Sequence, residues 1–194
     1  MPPTSTSPTR SWPSSPPRGR ALRILGIDPG LRRTGWGVIE AEGNRLSHLA
    51  HGVIATDEKQ PLPARLTILH EALQVIVAEQ RPAAAAVEET LANRNPASTL
   101  KLGMARGVAL LVPSLAGLTV AQYLPMIVKR SVVGSGHAEK GQVAMMVNRL
   151  LPGLALKDGD AADALAIAIC HAHHAATAAV WTGGGPLPTR RGAR

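Results

Sequence analysis

Four carboxylates stand where ordinary surface acids do not. Asp28 closes the apolar segment "LRILGID" (22–28), and a glycine-rich turn, "PGLRRTGWG", follows it. Glu88 comes directly after five consecutive apolar residues, Ala83 to Val87. Asp160 and Asp163 are spaced i, i+3 at the head of an Ala-, Leu- and Ile-rich segment, so on a helix they share one face. If these segments meet, four carboxylates converge, and they cannot all stay ionised side by side without a partner. A pair of divalent cations removes the conflict. Mg2+ takes hard oxygen ligands and keeps positions for water and phosphate. Two such ions about 4 Å apart serve both the attacking and the leaving oxygen of a phosphodiester. The spacing therefore points to Asp28, Glu88, Asp160 and Asp163 as metal ligands and catalytic groups, with the glycines letting the backbone turn away so that substrate approaches. Each acid has a plainer alternative when taken alone. An Asp at a strand end commonly forms a turn, and an Asp in a first helical turn complements the helix dipole. Glu88 fits such a reading least, because a charge rarely ends so apolar a run. Glu89 faces the opposite side of the same strand and reads as structural.

The elements that position these residues follow from periodicity. "ALRILGID" is a buried strand, and "TGWGVIEAE" and "RLSHLAHGVIA", joined at Gly43-Asn44, form two more in hairpin order. "LPARLTILHEALQVIVAEQ" is an amphipathic helix with Leu62, Leu66, Leu69, Leu73 and Ile76 on one stripe. "PAAAAVEE" reads as a parallel strand. Asn95 suits an N-cap and Pro96 a first helical position, opening a helix over "PASTLKLGMARGVALLVPSL". "LTVAQYL" is a strand, and "PMIVKRSVV" and "AEKGQVAMMVNRLL" are helices parted by "GSGH". The segment "DAADALAIAICHAHHAA" is a last helix, apolar nearly all round and so packed against the sheet. The order βββαβαβ followed by helices gives an α/β fold, a mixed sheet with helices on its faces.

Composition bounds the rest. The 194 residues suffice for one α/β domain. Residues 1–20, with six Pro and five Ser, read as a disordered tail, and residues 177–194 as a flexible basic one, leaving residues 21–176 to fold. The basic, acid-free start matches transit peptides in composition, but its prolines oppose the helix they use. No apolar run reaches the roughly 18 residues of a membrane span. The single Cys170 excludes a disulfide framework, and a cytoplasmic setting is expected. Net charge is +8, and residues 88–157 carry eight Lys or Arg (including Arg94, Lys101, Arg106, Lys129 and Lys140) against three Glu. A basic stretch beside an acidic pocket suits a polyanion held over bound cations, although charge alone equally describes a solvated surface. The "HAHH" run (171–174) places His171 and His174 at i, i+3 but lacks the third ligand of a usual zinc site.

The motifs "GIDPGLRRTGWGVI", "AVEETLANRNPASTLKLGMARGVALL", "VKRSVVGSGHAEKGQVAMMV" and "GDAADALAIAICHAH", in that order, resemble the RuvC family of Holliday junction resolvases over about residues 22–174. The resemblance implies a ribonuclease-H-like fold built on a mixed five-stranded sheet flanked by helices. It also implies a homodimeric, Mg2+-dependent endodeoxyribonuclease with two ions per site, Mn2+ being able to substitute. Paired symmetric nicks in a four-way DNA junction, at a short thymine-containing sequence, would serve recombination and repair. A branch-migration helicase complex of the RuvA-RuvB type would be the partner. Asp28, Glu88, Asp160 and Asp163 match the family's catalytic acids, and Lys129 and Lys140 match basic residues that hold DNA phosphate. Leu91, Arg94, Lys101 and Arg106 complete the expected DNA-binding set. Leu91 stands where relatives place an aromatic, and Leu wedges between bases without stacking as a ring does. Met104 replaces the glutamine of the family's "LGQARG", which predicts weaker sequence selectivity. The small residues Gly103, Ala105 and Gly107 suit close approach of another helix or plain intrachain packing.

Two rival readings stand beside this one. "IDPGLRRTGWGVI" also resembles the first phosphate loop of actin-like ATPases and sugar kinases, but that architecture needs a second phosphate loop and a second domain. ATP turnover without DNA would favour it. A sibling nuclease family acting on structured RNA shares the fold expected here.

Overall fold

A computed structural model describes residues 21–89, 95–138, 140–154, 156 and 159–182. Five strands, β1 (Leu22–Asp28), β2 (Arg33–Glu42), β3 (Arg45–Ala55), β4 (Ala84–Glu88) and β5 (Thr119–Tyr123), form one sheet in the order β3-β2-β1-β4-β5. The hairpin strands β1, β2 and β3 pair antiparallel, while β1–β4 and β4–β5 are parallel. Helices α1 (Leu62–Gln80) and α2 (Pro96–Leu115) cover one face. Helices α3 (Pro125–Val133), α4 (Lys140–Leu150) and α5 (Gly159–Thr182) cover the other. This is the mixed five-stranded sheet expected from the sequence.

Alternation along the central strands sorts their side chains between two cores. Leu25, Ile27, Ala85 and Val87 join Leu69, Leu73 and Ile76 of α1 and Ala105, Ala109 and Val112 of α2. Ile24 and Ala86 join Leu165, Ile167 and Ile169 of α5 on the far side. Each large aliphatic so buried contributes about 2 kcal/mol of transfer free energy. The stripe read on α1 is the buried one at Leu69, Leu73 and Ile76, with Leu62 and Leu66 packed at its margin. Asn95 caps α2 through its side-chain oxygen, which accepts from the amides of Ala97 (3.0 Å) and Ser98 (3.4 Å). Gly43 takes a left-handed φ of 57° in the β2–β3 turn, where a side chain would be strained.

Helix α5 continues to Thr182, past the boundary drawn at residue 176, because its apolar sequence runs on without a breaker. Helix α4 begins at Lys140 rather than at Ala138. No helix among the described residues is long and apolar enough to cross a membrane. Residues 1–20 and 183–194 lie outside the described residues.

Candidate active site

The chain reverses after Asp28 through a turn that is fastened from three sides. Buried Thr34 donates its hydroxyl to the Gly30 carbonyl (2.6 Å) and accepts from the Gly30 amide (3.3 Å). Thr56, at the end of β3, donates to the Leu31 carbonyl (2.5 Å), and its amide bonds the Arg32 carbonyl (3.0 Å). Buried Arg65 of α1 donates through Nε to the Thr56 hydroxyl (2.9 Å). Gly30 is required here, since a Cβ would lie 2.2 Å from the Arg33 carbonyl oxygen. The turn that follows the first acid is thus rigid before any ligand arrives.

Strand alternation then decides where the acids face. On β1, Ile24 and Gly26 look toward α5, so Asp28 does as well. On β4, Ala86 looks toward α5, and so does Glu88, whereas Glu89 lies past the strand end on the other side of the alternation. The two strands are parallel neighbours with Ile27 opposite Val87. Asp28 and Glu88 therefore end adjacent strands, with backbones about 5 Å apart, on one face.

Helix α5 enters over that same edge. A Cβ on Gly35, the register partner of Asp28, would lie 2.0 Å from the Asp160 carbonyl oxygen. A Cβ on Gly26 would lie 2.1 Å from the Ala164 carbonyl oxygen. Glycines on β1 and β2 thus let the helix backbone lie directly on the sheet, which brings the start of α5, with Asp160 in its first turn and Asp163 just beyond, to the strand ends. The elements bring all four acids to one edge. They do not form a finished ion cage: among the described residues, no three His, Cys, Asp or Glu side chains are grouped to hold an ion. Arg33, two residues before Gly35 on the same face of β2, donates its Nε to Asp160 Oδ2 at 2.5 Å. Arg33 was not singled out from the sequence. No local signal marks it, because the strand face that Gly35 clears for α5 is set by the register of β2 with β1.

The basic residues distribute unevenly around this edge. Lys101 lines a cleft of about 450 Å³ with Arg32, Arg65, Ser98 and Glu58, beside the turn that holds Asp28. Arg106 is tied into the scaffold through a hydrogen bond from its Nη2 to Gln122 Oε1, with its Nε buried and lacking a hydrogen-bond partner among the described residues. Lys129 is half-buried on α3, and Lys140 is the first residue of α4. Leu91 and Arg94 lie outside the described residues. On α2, Gly103 and Gly107 face open space while Ala105 is fully buried, so the small residues divide between an outer and an inner face. Leu100, Met104, Leu111 and Leu115 are exposed on the same helix.

The histidines near the end of α5 have partners of their own. His171 Nδ1 lies 2.8 Å from the Tyr123 hydroxyl, His174 stacks on the Tyr123 ring, and His173 Nδ1 lies 3.1 Å from Ser131 Oγ. Burial lowers the His171 pKa, with the neighbouring His174 adding to the effect. Burial pushes the Tyr123 hydroxyl up to about 12 and the Cys170 thiol up to about 11.

Comparison with known proteins places this arrangement. A family model described as crossover junction endodeoxyribonuclease RuvC matches residues 24–171. The crossover junction endodeoxyribonuclease RuvC of Granulibacter bethesdensis is 60% identical over 171 residues, covering 88% of this chain and 96% of that one. The protein of the same description from Gluconacetobacter diazotrophicus is 63% identical over 157 residues, covering 81% of this chain and 94% of that one. Among solved structures, Thermus thermophilus RuvC in complex with Holliday junction substrate superposes with a TM-score of 0.76 at 36% identity, covering 81% of this chain and 96% of that one.

Proposed function

The chain belongs to the RuvC family of crossover junction endodeoxyribonucleases, and from that premise we propose that it resolves four-way DNA junctions by paired symmetric nicks, with Asp28, Glu88, Asp160 and Asp163 as its hydrolytic group. The observation that carries this assignment is the shared edge. Asp28 and Glu88 end neighbouring parallel strands on the face over which the first turn of α5 lies. The four carboxylates offer only hard oxygen donors, the set that suits Mg2+, with Mn2+ as a substitute. When bound there, the ions lower the pKa of the attacking water and neutralise charge on the leaving oxygen.

The protein's own contribution is position. The Thr34–Gly30 and Thr56–Leu31 hydrogen bonds hold Asp28 on a fixed turn. The glycine seat under Asp160 fixes the height of the helix that carries two of the acids. Lys101 and Arg32 line the cleft next to that turn and take the DNA backbone there, and Lys129 and Lys140 hold phosphate on the α3–α4 side. In-line attack at this edge leaves 5′-phosphate and 3′-hydroxyl ends, which a ligase rejoins. A junction offers two equivalent strands, and a two-fold homodimer presents two sites to them. The outer face of α2, with Leu100, Met104, Leu111 and Leu115 exposed around Gly103 and Gly107, supports that interface. A RuvA-RuvB type helicase complex is the partner this role calls for.

The test is incubation with Mg2+ and a synthetic four-way junction beside the Asp28→Asn variant. Symmetric nicks by the native chain, and a loss of at least about a hundredfold in the variant with junction binding retained, are expected. Equal cutting of linear duplex, or preference for structured RNA, would overturn the junction assignment.

A further inference from the structure

The Arg33–Asp160 contact is a close ion pair at the active edge, with Arg33 Nε 2.5 Å from Asp160 Oδ2. Its origin is geometric. On β2, residues 33, 35 and 37 share the face covered by α5. Gly35 and Gly37 are emptied of side chain where the Asp160 backbone and Leu165 press on them. Arg33 is the next position outward, and it reaches past the helix start to place its Nε 2.5 Å from Asp160 Oδ2. Both side chains remain partly open to solvent, at 44% and 31% exposure, so the pair can be exchanged for other partners without unfolding its surroundings. Asp160 is the acid of the first turn of α5, so the arginine pairs with a charge at the start of that helix.

We propose that Arg33 is a resident counter-ion that competes with the divalent metal for Asp160 and so sets the metal concentration at which the site fills. The proposal rests on Asp160 being a metal ligand. One carboxylate oxygen held by a guanidinium is lost to a metal ion. An ion on the other oxygen would sit within a few ångströms of a fixed positive charge, which opposes its binding. Loading the site therefore requires the Arg33 side chain to swing off Asp160. Once released, it projects at the edge where DNA phosphate approaches and has a new anionic partner there. Metal loading and DNA engagement are coupled in this way: substrate that captures the released guanidinium favours the metal-bound arrangement, and metal that displaces it favours substrate.

The discriminating measurement is Mn2+ binding to the full chain without DNA, followed by the electron paramagnetic resonance signal of the free ion at low ionic strength. The expected result is about two- to five-fold tighter binding by Arg33→Gln, the range that corresponds to an exposed ion pair. Arg33→Lys, which keeps the charge, is expected to stay close to the native affinity. Melting in chelator provides the fold control. Arg33→Gln should melt slightly lower than the native chain, and added Mg2+ should raise its melting temperature by more than it raises the native one. Mn2+ binding that needs Asp160 but is unchanged or weaker in Arg33→Gln overturns the competition. Binding indifferent to Asp160→Asn overturns the metal assignment of Asp160, and the competition with it.

Discussion

The two faces of the sheet are built on different terms. Toward α1 and α2 the contacts are between side chains, with Leu25, Ile27 and Val87 meeting Leu69, Leu73 and Ile76. Toward α5 the strands withdraw their side chains at Gly26 and Gly35, where helix backbone rests on strand backbone, and at Gly37, where the Leu165 side chain fills the space. Side-chain packing adjusts to small changes by rotamer and shift, whereas backbone against backbone leaves nothing to adjust. The face that carries the acids is thus the one whose spacing is fixed, and the other face supplies stability with more latitude.

That contrast is breakable. Gly35→Ala pushes a methyl into the Asp160 carbonyl, so it should cost about 3 kcal/mol and lower the melting temperature by about 6–12 °C. It should also abolish junction cleavage below the melting point, because the helix start moves. Leu111→Glu, on the outer face of α2, tests the proposed dimer: it should leave the fold intact and yield a monomer in light scattering where the native chain is a dimer, with the two nicks of a junction becoming uncoordinated in time. Ile76→Val, on the α1 face, should cost about 1 kcal/mol, visible as a shift of about 2–4 °C, and leave the cleavage rate unchanged. Equal loss of cleavage per degree of melting in Gly35→Ala and Ile76→Val would erase the distinction between the faces.

The smallest effect concerns His171. Its pKa is lowered in the folded chain, so below the ordinary histidine value near pH 6.5 the unfolded chain takes up the proton first and stability falls with acidification. His171→Asn should flatten that part of a melting profile between about pH 7 and 5 and leave the profile above pH 7 unmoved.

Much of this was legible in the residues. Strand β3 and helices α1 and α3 have the bounds that periodicity and turn residues assign, and Asn95 caps α2 as its type suggests. The acids stood out because each ends or opens an apolar segment. What the sequence hid is what depends on register between distant elements. Nothing in "RRTGWG" says that Gly35 will lie under Asp160, since that needs the antiparallel pairing of β2 with β1 and the line of α5 across both. Arg33 escaped notice for the same cause: its partner is 127 residues away. On sequence alone the last helix ends at Ala176, whereas α5 runs to Thr182, because residue types compatible with a helix continue past Ala176 while the tail composition suggests a stop.

The parallel pairing of β1 with β4, and the laying of α5 over β1 and β2, have a temporal consequence. Asp28, Glu88 and Asp160 reach one edge only through contacts that span most of the described chain, and such non-local closures form late in folding. During synthesis, a nascent chain that has not yet released α5 from the ribosome holds its first two carboxylates without the other two. Under the proposed assignment of the four acids, such a chain holds an incomplete set and gains the rest only when α5 docks on the sheet.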